Sequence, residues 1–362
     1  MGLLTLLLAV VLLARPGRSE KLRSMYRPEF YSRNATSESE RLLAQVRMSW
    51  AAELPILRAM GLREGMRMLQ VACGPGHYSE RLLATFPGMT IVCVERDEHF
   101  VALGRKRMAK EYGKRFKYIV GDAADLRELL KDEEQPFDGA LLRLILQHLP
   151  GRARGLVGRV MERVRQGGAV VLLDVDDSYS DVVEPVMPLQ DSLLGQMADW
   201  RAQQGVHGDG RAGRRLGPWL RGAGATAVRC RVALADSDEF GPTVMRQVLT
   251  VDQYAQVASA KQRQAAQEEL YRLVPLHDSR AYDDPARPRM LSLMFVCGGR
   301  APGPAATRRA RRKEELLLRK PKPAPAPAPP VLPQPALVDE GVMQEIDQPV
   351  LGPIEARIEE KF

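Results

Sequence analysis

The run Met68-Leu69-Gln70-Val71-Ala72-Cys73-Gly74-Pro75-Gly76-His77-Tyr78-Ser79 decides how the rest of the chain is read. Its first half is a short apolar run bounded by glycines, the pattern of a buried strand. Glu80-Arg81-Leu82-Leu83-Ala84 follows and reads as the opening turns of a helix. Gly74 and Gly76 therefore fall at a tight strand-to-helix turn, where the missing Cβ lets backbone approach a ligand closely. A helix N-terminus at that place also offers unpaired N–H donors. The dinucleotide fingerprint needs a third glycine to pack helix against strand. Ser79 stands there instead, so that fingerprint is incomplete.

Further strand ends follow at regular distances. Met89-Thr90-Ile91-Val92-Cys93-Val94 is a second apolar strand and ends in Glu95-Arg96-Asp97. A carboxylate about 20 residues past the glycines, at the tip of a second strand, can accept hydrogen bonds from ribose hydroxyls. Phe116 to Val120 is a third strand, ending in Gly121-Asp122-Ala123. Phe137 to Arg143 is a fourth, with Leu146-Gln147-His148-Leu149 behind it, and Gln166-Gly167-Gly168 turns into a fifth, Ala169 to Asp174.

These residues together resemble the class I S-adenosylmethionine-dependent methyltransferases. The first motif of that family runs hydrophobic, acidic, x, Gly, Cys, Gly, x, Gly, and Cys73-Gly74-Pro75-Gly76 matches its second half. The sequence departs from it twice, with Gln70 where an acid is usual and Ala72 where glycine is usual. The resemblance implies an α/β fold with a doubly wound, seven-stranded, Rossmann-like sheet whose last strand, Met290 to Cys297, is antiparallel. It also implies S-adenosylmethionine as cofactor. Backbone at Ala72, Cys73, Gly74 and Gly76 would approach it, Glu95 with Arg96 beside it would meet the ribose, and Asp122 with Ala123 the adenine. Gln70 would replace the acidic contact near the amino-acid end, and Arg143 would border the same crevice.

The segment after the fifth strand resembles the lid of the menaquinone/ubiquinone-biosynthesis type. Helical spacing of Leu189, Leu193, Leu194, Met197 and Trp200 places one lid element at about 182–222, and a second is expected at about 248–280. The domain expected from these readings spans 35–300, after an N-terminal extension over 1–34. Ser37 and Glu40 have capping-box spacing ahead of an amphipathic helix. Beyond residue 300 the chain turns Pro- and Ala-rich and ends in an acidic stretch, read as a disordered tail that is either a docking peptide or without a role.

Methyl transfer is an in-line displacement of an activated leaving group, so the protein mainly positions reactants and sometimes removes a proton. His148, where this family often has a histidine, and His207, on the lid loop, are the candidate bases. Tyr31, Trp200 and Trp219 are candidate walls for an apolar acceptor. The function expected is methylation of an oxygen or carbon on a small, quinone-like or secondary-metabolite acceptor. Two alternatives stay open, a macromolecular or carrier-bound substrate docked through the tail, and a catalytically silent cofactor-binding protein. No Asn-Pro-Pro-Tyr-type motif follows the fourth strand, which lowers nitrogen of nucleic acid or protein as acceptor. Asp174, Asp176 and Asp177 cluster at a strand end, but with no identifiable partner ligand they are read as capping groups, and no metal is expected.

The net charge of +8 does not mark a nucleic-acid partner. Eight basic residues against two glutamates between Arg308 and Lys322 supply most of it, leaving the body near neutral. The apolar run Leu3 to Ala14 has the length of a secretory core but is too short for a membrane span, lacks a preceding basic residue and shows no cleavage site. Cys73, Cys93, Cys230 and Cys297 lack metal spacing and are read as reduced thiols in buried strands. With a cofactor made inside cells, a cytoplasmic location is expected, and the N-terminal apolar run leaves membrane association or export open. Asn34-Ala35-Thr36 is formally a glycosylation acceptor, of consequence only in a secreted chain.

Overall fold

The computed structural model describes residues 26, 28, 31–179, 182–204, 208–278, 280, 284, 286–303 and 309. It opens with helix α1 (Ala35–Met60), then alternates strand and helix as far as the fifth strand. In order these are β1 (Arg67–Val71), α2 (His77–Thr85), β2 (Thr90–Glu95), α3 (Glu98–Tyr112), β3 (Phe116–Val120), α4 (Leu126–Leu129), β4 (Phe137–Arg143), α5 (Ala153–Met161) and β5 (Val164–Asp174). The second part is less regular: β6 (Val182–Glu184), α6 (Pro188–Gln203), α7 (Ala212–Gly222), β7 (Thr226–Asp236), α8 (Ser237–Val248), α9 (Ala260–Leu273) and β8 (Arg289–Arg300).

The sheet order is β3-β2-β1-β4-β5-β8-β6, with β7 also paired to β8. Strands β1 to β5 are parallel, and β8 is antiparallel to β5. Phe295 of β8 pairs with Asp174 of β5 and Val232 of β7 at once, so β8 lies between them. Among the described residues there are eight strands rather than the expected seven, because short β6 pairs with the start of β8. The chain winds outward from β1 to β3 and then returns to place β4 on the other side of β1. A ligand crevice belongs at that reversal, outside the carboxyl ends of the strands.

Strand period fixes the two faces of the core. Leu69, Val71, Ala140, Leu142, Val170 and Leu172 point one way and pack on Leu156, Val157 and Val160 of α5 and Leu216 and Leu220 of α7. The alternate residues Met68, Ile91, Leu141, Val171 and Leu173 pack on Leu57 and Met60 of α1, Leu82 and Leu83 of α2, and Met108 of α3. Each such fully buried side chain contributes about 1.5–3 kcal/mol.

Several expectations are revised. The cap of α1 is Asn34, whose side chain accepts from the Ser37 amide, so Ser37 is inside the helix and the Ser37/Glu40 box is not used. The second lid element, expected at about 248–280, is a 3-10 turn, Val251–Tyr254, followed by α9, which does carry a capping box at Ser259 and Gln262. Helix α8 was not expected. The cysteines are not reduced thiols: Cys73 is bonded to Cys93 and Cys230 to Cys297, and Cys230 lies on the exposed face of β7. The reason is register, which sets Cys230 directly opposite Cys297 and brings the turn after β1 against Cys93 of β2. Among the described residues no helix is long and apolar enough to cross a membrane. The basic segment, the tail and the N-terminal apolar run fall outside the described residues, apart from Arg309.

Candidate functional site

A cavity of about 310 Å³ opens at the carboxyl ends of β1, β2 and β4. That is the low end of the range for small-molecule sites, roughly 300–1,000 Å³. Of the residues expected to meet a cofactor, Gln70, Ala72, Cys73, Gly74, Glu95, Arg96, Asp122, Ala123 and Arg143 all line it, and so does His148. Gly76 does not line it, and His207 lies outside the described residues.

The turn after β1 is built from unusual backbone. Ala72 has φ 55°, Gly74 56° and Gly76 81°. A Cβ on Gly76 would come within 2.8 Å of the Tyr118 hydroxyl, so Gly76 is required by packing behind the turn. Ala72 adopts a left-handed conformation that favours glycine, held by its N–H donating to the Val94 carbonyl at 2.8 Å. Leu144, with φ 55°, is a second strained lining residue, and such strain concentrates at binding sites. Ser79 is fully buried and its hydroxyl donates to Gln70 Oε1 at 2.7 Å, so the residue in place of the third glycine is paired with the one in place of the usual acid.

Glu95 is buried at the tip of β2. Its Oε2 accepts from the Gly74 amide at 2.8 Å, and its Oε1 from the Arg96 and Asp97 amides at 2.7 and 2.9 Å. Burial raises its pKa, and these three amides pull against that rise. Arg96 donates to the Tyr26 carbonyl at 2.6 Å and sits 3.9 Å from Asp122, tying the N-terminal segment to the end of β3. His77, the first residue of α2, shares a 3.0 Å contact with the Ser39 hydroxyl through Nε2, while its buried Nδ1 has no hydrogen-bond partner among the described residues. Burial, aided by Arg107, lowers its pKa to about 4, so it is neutral at physiological pH.

Helix α1 closes one side of the cavity with a buried ion pair. Arg143 lies 3.1 Å from Glu53, donates to Ser49 at 2.8 Å and stacks 4.8 Å from the Tyr78 ring. Tyr78 donates to the same carboxylate at 2.6 Å. The aspartates after β5 have other partners. Asp174 accepts from the amides of Leu146, Gln147 and Val175, and burial raises its pKa to about 7. Asp176 is paired with Arg214 at 2.6 Å.

An aromatic group forms another part of the lining. The Tyr26 and Tyr31 rings stack at 4.9 Å, and His148 lies 5.1 and 5.5 Å from them. Tyr31 Oη is 3.3 Å from His148 Nδ1, and Tyr26 donates to Glu38 at 2.6 Å. Glu38 is salt-bridged to Arg41 at 2.6 Å, and the Arg201 guanidinium stacks 4.2 Å from the Tyr31 ring. Burial, with Arg201 and Arg41 adding to it, lowers the His148 pKa to about 3. Burial likewise raises that of Tyr31. Trp200 and Trp219 are not in this wall; each packs against a hydrophobic cluster elsewhere. Sequence reading missed Tyr26, Arg41, His77, Glu53 and Arg201. Only the Glu38/Arg41 helical spacing carried a local signal.

Residues 68–168 match the family model described as a methyltransferase domain. A comparison with curated protein sequences finds no match. Among solved structures, Haemonchus contortus phosphoethanolamine N-methyltransferase 2 superposes with TM-score 0.44 and 17% identity, over 69% of this chain and 53% of that one. The chain thus spans about half the length of that enzyme. The Bacillus subtilis YcgJ protein gives TM-score 0.38 and 15% identity, over 69% of this chain and 98% of its own. The pyocyanin biosynthetic protein PhzM gives 0.35 and 18%, over 69% and 54%. Likeness this distant carries no argument about chemistry, and nothing selects the menaquinone/ubiquinone type. The matched span holds β1 to β4, the glycine turn, Glu95, Asp122 and His148, and over it the chain is similar to a methyltransferase domain.

Proposed function

We propose that this chain transfers the methyl group of S-adenosylmethionine to an oxygen or carbon of a small acceptor held beside Tyr26, Tyr31 and His148. The observation that supports this reading is that one cavity is lined both by the glycine turn, with Glu95 and Asp122, and by that aromatic group.

The residues fit such a cofactor. Gly74 has φ 56°, a conformation side chains rarely adopt, and a Cβ there would be in ordinary contact with Leu42 at 3.7 Å, so the turn stays bare at the cavity. The unpartnered His77 Nδ1 is a buried polar atom in the same lining. In the proposed arrangement Ala72, Cys73 and Gly74 present backbone, Asp122 and Ala123 take the adenine, and Gln70 and Arg143 border the amino-acid end. A carboxylate offers about four lone-pair sites. Backbone amides occupy three on Glu95, so Oε2 has room for one ribose hydroxyl rather than two.

Bound S-adenosylmethionine supplies an electrophilic methyl carbon on a sulfonium that leaves as a neutral thioether. The chain positions the acceptor against it and excludes water. His148 is neutral at physiological pH and gains a proton only against burial and two neighbouring cations. The site therefore suits an acceptor that ionises readily, an acidic hydroxyl or a stabilised carbon, whose negative charge Arg41 and Arg201 would favour. Tyr31 and His148, 3.3 Å apart, would orient it.

Calorimetry with S-adenosylmethionine tests the cofactor half. Asp122→Ala and Glu95→Ala are expected to weaken binding at least tenfold, about 1.4 kcal/mol. Folded protein that binds none would overturn the proposal and leave the silent scaffold, which the Gln70 and Ala72 departures favour. A labelled methyl group transferred to a panel of free phenols and enolisable carbons tests the acceptor half. Activity there by a chain ending after residue 303 would dispose of docking through the tail.

A further inference from the structure

Asn34 is the chain's one asparagine, and it is followed by Ala35 and Thr36, which makes Asn34-Ala35-Thr36 an N-glycosylation acceptor. Both Asn34 and Thr36 are exposed. Asn34 caps α1 through Oδ1 alone, accepting from the Ser37 amide at 2.9 Å. A glycan bonds to the other atom of that amide, Nδ2, so cap and glycan are compatible on one side chain.

A tripeptide of this kind matters only where the chain meets glycosylating enzymes, and the cysteines bear on that. All four are paired, Cys73 with Cys93 and Cys230 with Cys297, and none is free. Disulfides of this structural kind persist in oxidising compartments and are rare where glutathione keeps thiols reduced. The two pairs close loops of different length, 20 and 67 residues, in separate parts of the sheet. Neither depends on the other or on Asn34, so three features of the chain agree.

We propose that Asn34 is an N-glycosylation site and that the chain matures in an oxidising, glycosylating compartment. In the modification, Asn34 Nδ2 bonds to the anomeric carbon of an oligosaccharide carried on a lipid diphosphate. The anomeric C–O bond breaks, the lipid diphosphate departs with the electron pair, and the amide proton passes to a base of the transferase. Each disulfide forms as two thiols give up two protons and two electrons to a disulfide-bearing oxidant of the same compartment. The reading is independent of the methyl acceptor and replaces the cytoplasmic expectation, which had rested on an intracellular cofactor and on reduced cysteines.

The test is expression of the full chain in cultured eukaryotic cells, followed by digestion with a peptide N-glycosidase. Wild type is expected to gain mobility on digestion, with Asn34 deamidated in the peptide mass spectrum. Thr36→Ala keeps the helix cap and is expected to abolish the shift, whereas Thr36→Ser, still an acceptor, retains it. In the same material, alkylation under denaturing but non-reducing conditions is expected to label no cysteine. Wild type of unchanged mobility after digestion, or four alkylated cysteines, would overturn the proposal.

Discussion

At the scale of single residues, the site is set by side chains held in states they would not choose alone. Ala72 occupies a left-handed backbone at φ 55°, where Ala costs about 1–2 kcal/mol. Ala72→Gly would relieve that strain and return about 0.4–1 kcal/mol to the entropy of the unfolded chain. A net gain of about 0.5–1 kcal/mol is expected in urea unfolding, and a loss would show that the alanine methyl packs usefully. The histidines carry a pH signature. An unfolded imidazole titrates near 6.5, whereas in the fold His148 does so at about 3 and His77 at about 4. Their contribution is complete above about pH 6.5 and is lost as pH falls toward those lower values. Asp174, raised from 3.8 to about 7, acts in the opposite sense over its own interval, so a variant must be compared with wild type at each pH. His148→Gln is expected to be less stable than wild type at pH 7.5, with the gap narrower by about 1.4 kcal/mol at pH 5.5. A gap independent of pH would mean that the imidazole is not held neutral by the fold.

At the scale of elements, α1 is what turns a bare sheet edge into a walled cavity, and Glu53 is its anchor. The Glu53 side chain is fully buried against Arg143 and Tyr78. Removing one partner of such a pair strands the other charge, at a cost of about 3–5 kcal/mol. Glu53→Ala is expected to lose stability on that scale in urea titration, while Glu53→Leu combined with Arg143→Met loses less. Equal losses would assign the effect to packing rather than charge. The central strands were legible because the apolar runs of β1, β2, β3 and β5 end in or just before a glycine or an acid, a signal contained within a few residues. Helix α8 was not, since Gly241 at φ 76° and Pro242 interrupt its pattern and read as a loop. The aromatic group at the cavity was beyond local reading, because Tyr26, Arg41, His148 and Arg201 converge from four separate segments. Asn34 and Ser37 show the same limit on a smaller scale. Ser37 carries the box spacing, yet Asn34, three residues earlier, is the cap whose side chain accepts from an amide of the first turn.

At the scale of the whole molecule, the disulfides are features that no spacing rule exposed, because their pairing follows from sheet register. They join different things. Cys230–Cys297 ties exposed β7 to β8, whereas Cys73–Cys93 ties the glycine turn that lines the cavity to β2. Loop closure predicts about 4 kcal/mol for the 67-residue loop and about 3 kcal/mol for the 20-residue one. Function should separate them where stability does not. Cys230→Ala with Cys297→Ala is expected to lower the urea midpoint and leave S-adenosylmethionine affinity unchanged, since neither residue lines the cavity. Cys73→Ala with Cys93→Ala is expected to cost somewhat less stability yet weaken binding several-fold, because Ala72, Cys73 and Gly74 would no longer be pinned to the strand that carries Glu95. Calorimetry on the two double variants decides the matter. Equal affinity in both would show that the Gly74–Glu95 hydrogen bond and the packing of Gly76 against Tyr118 hold the turn without the covalent link.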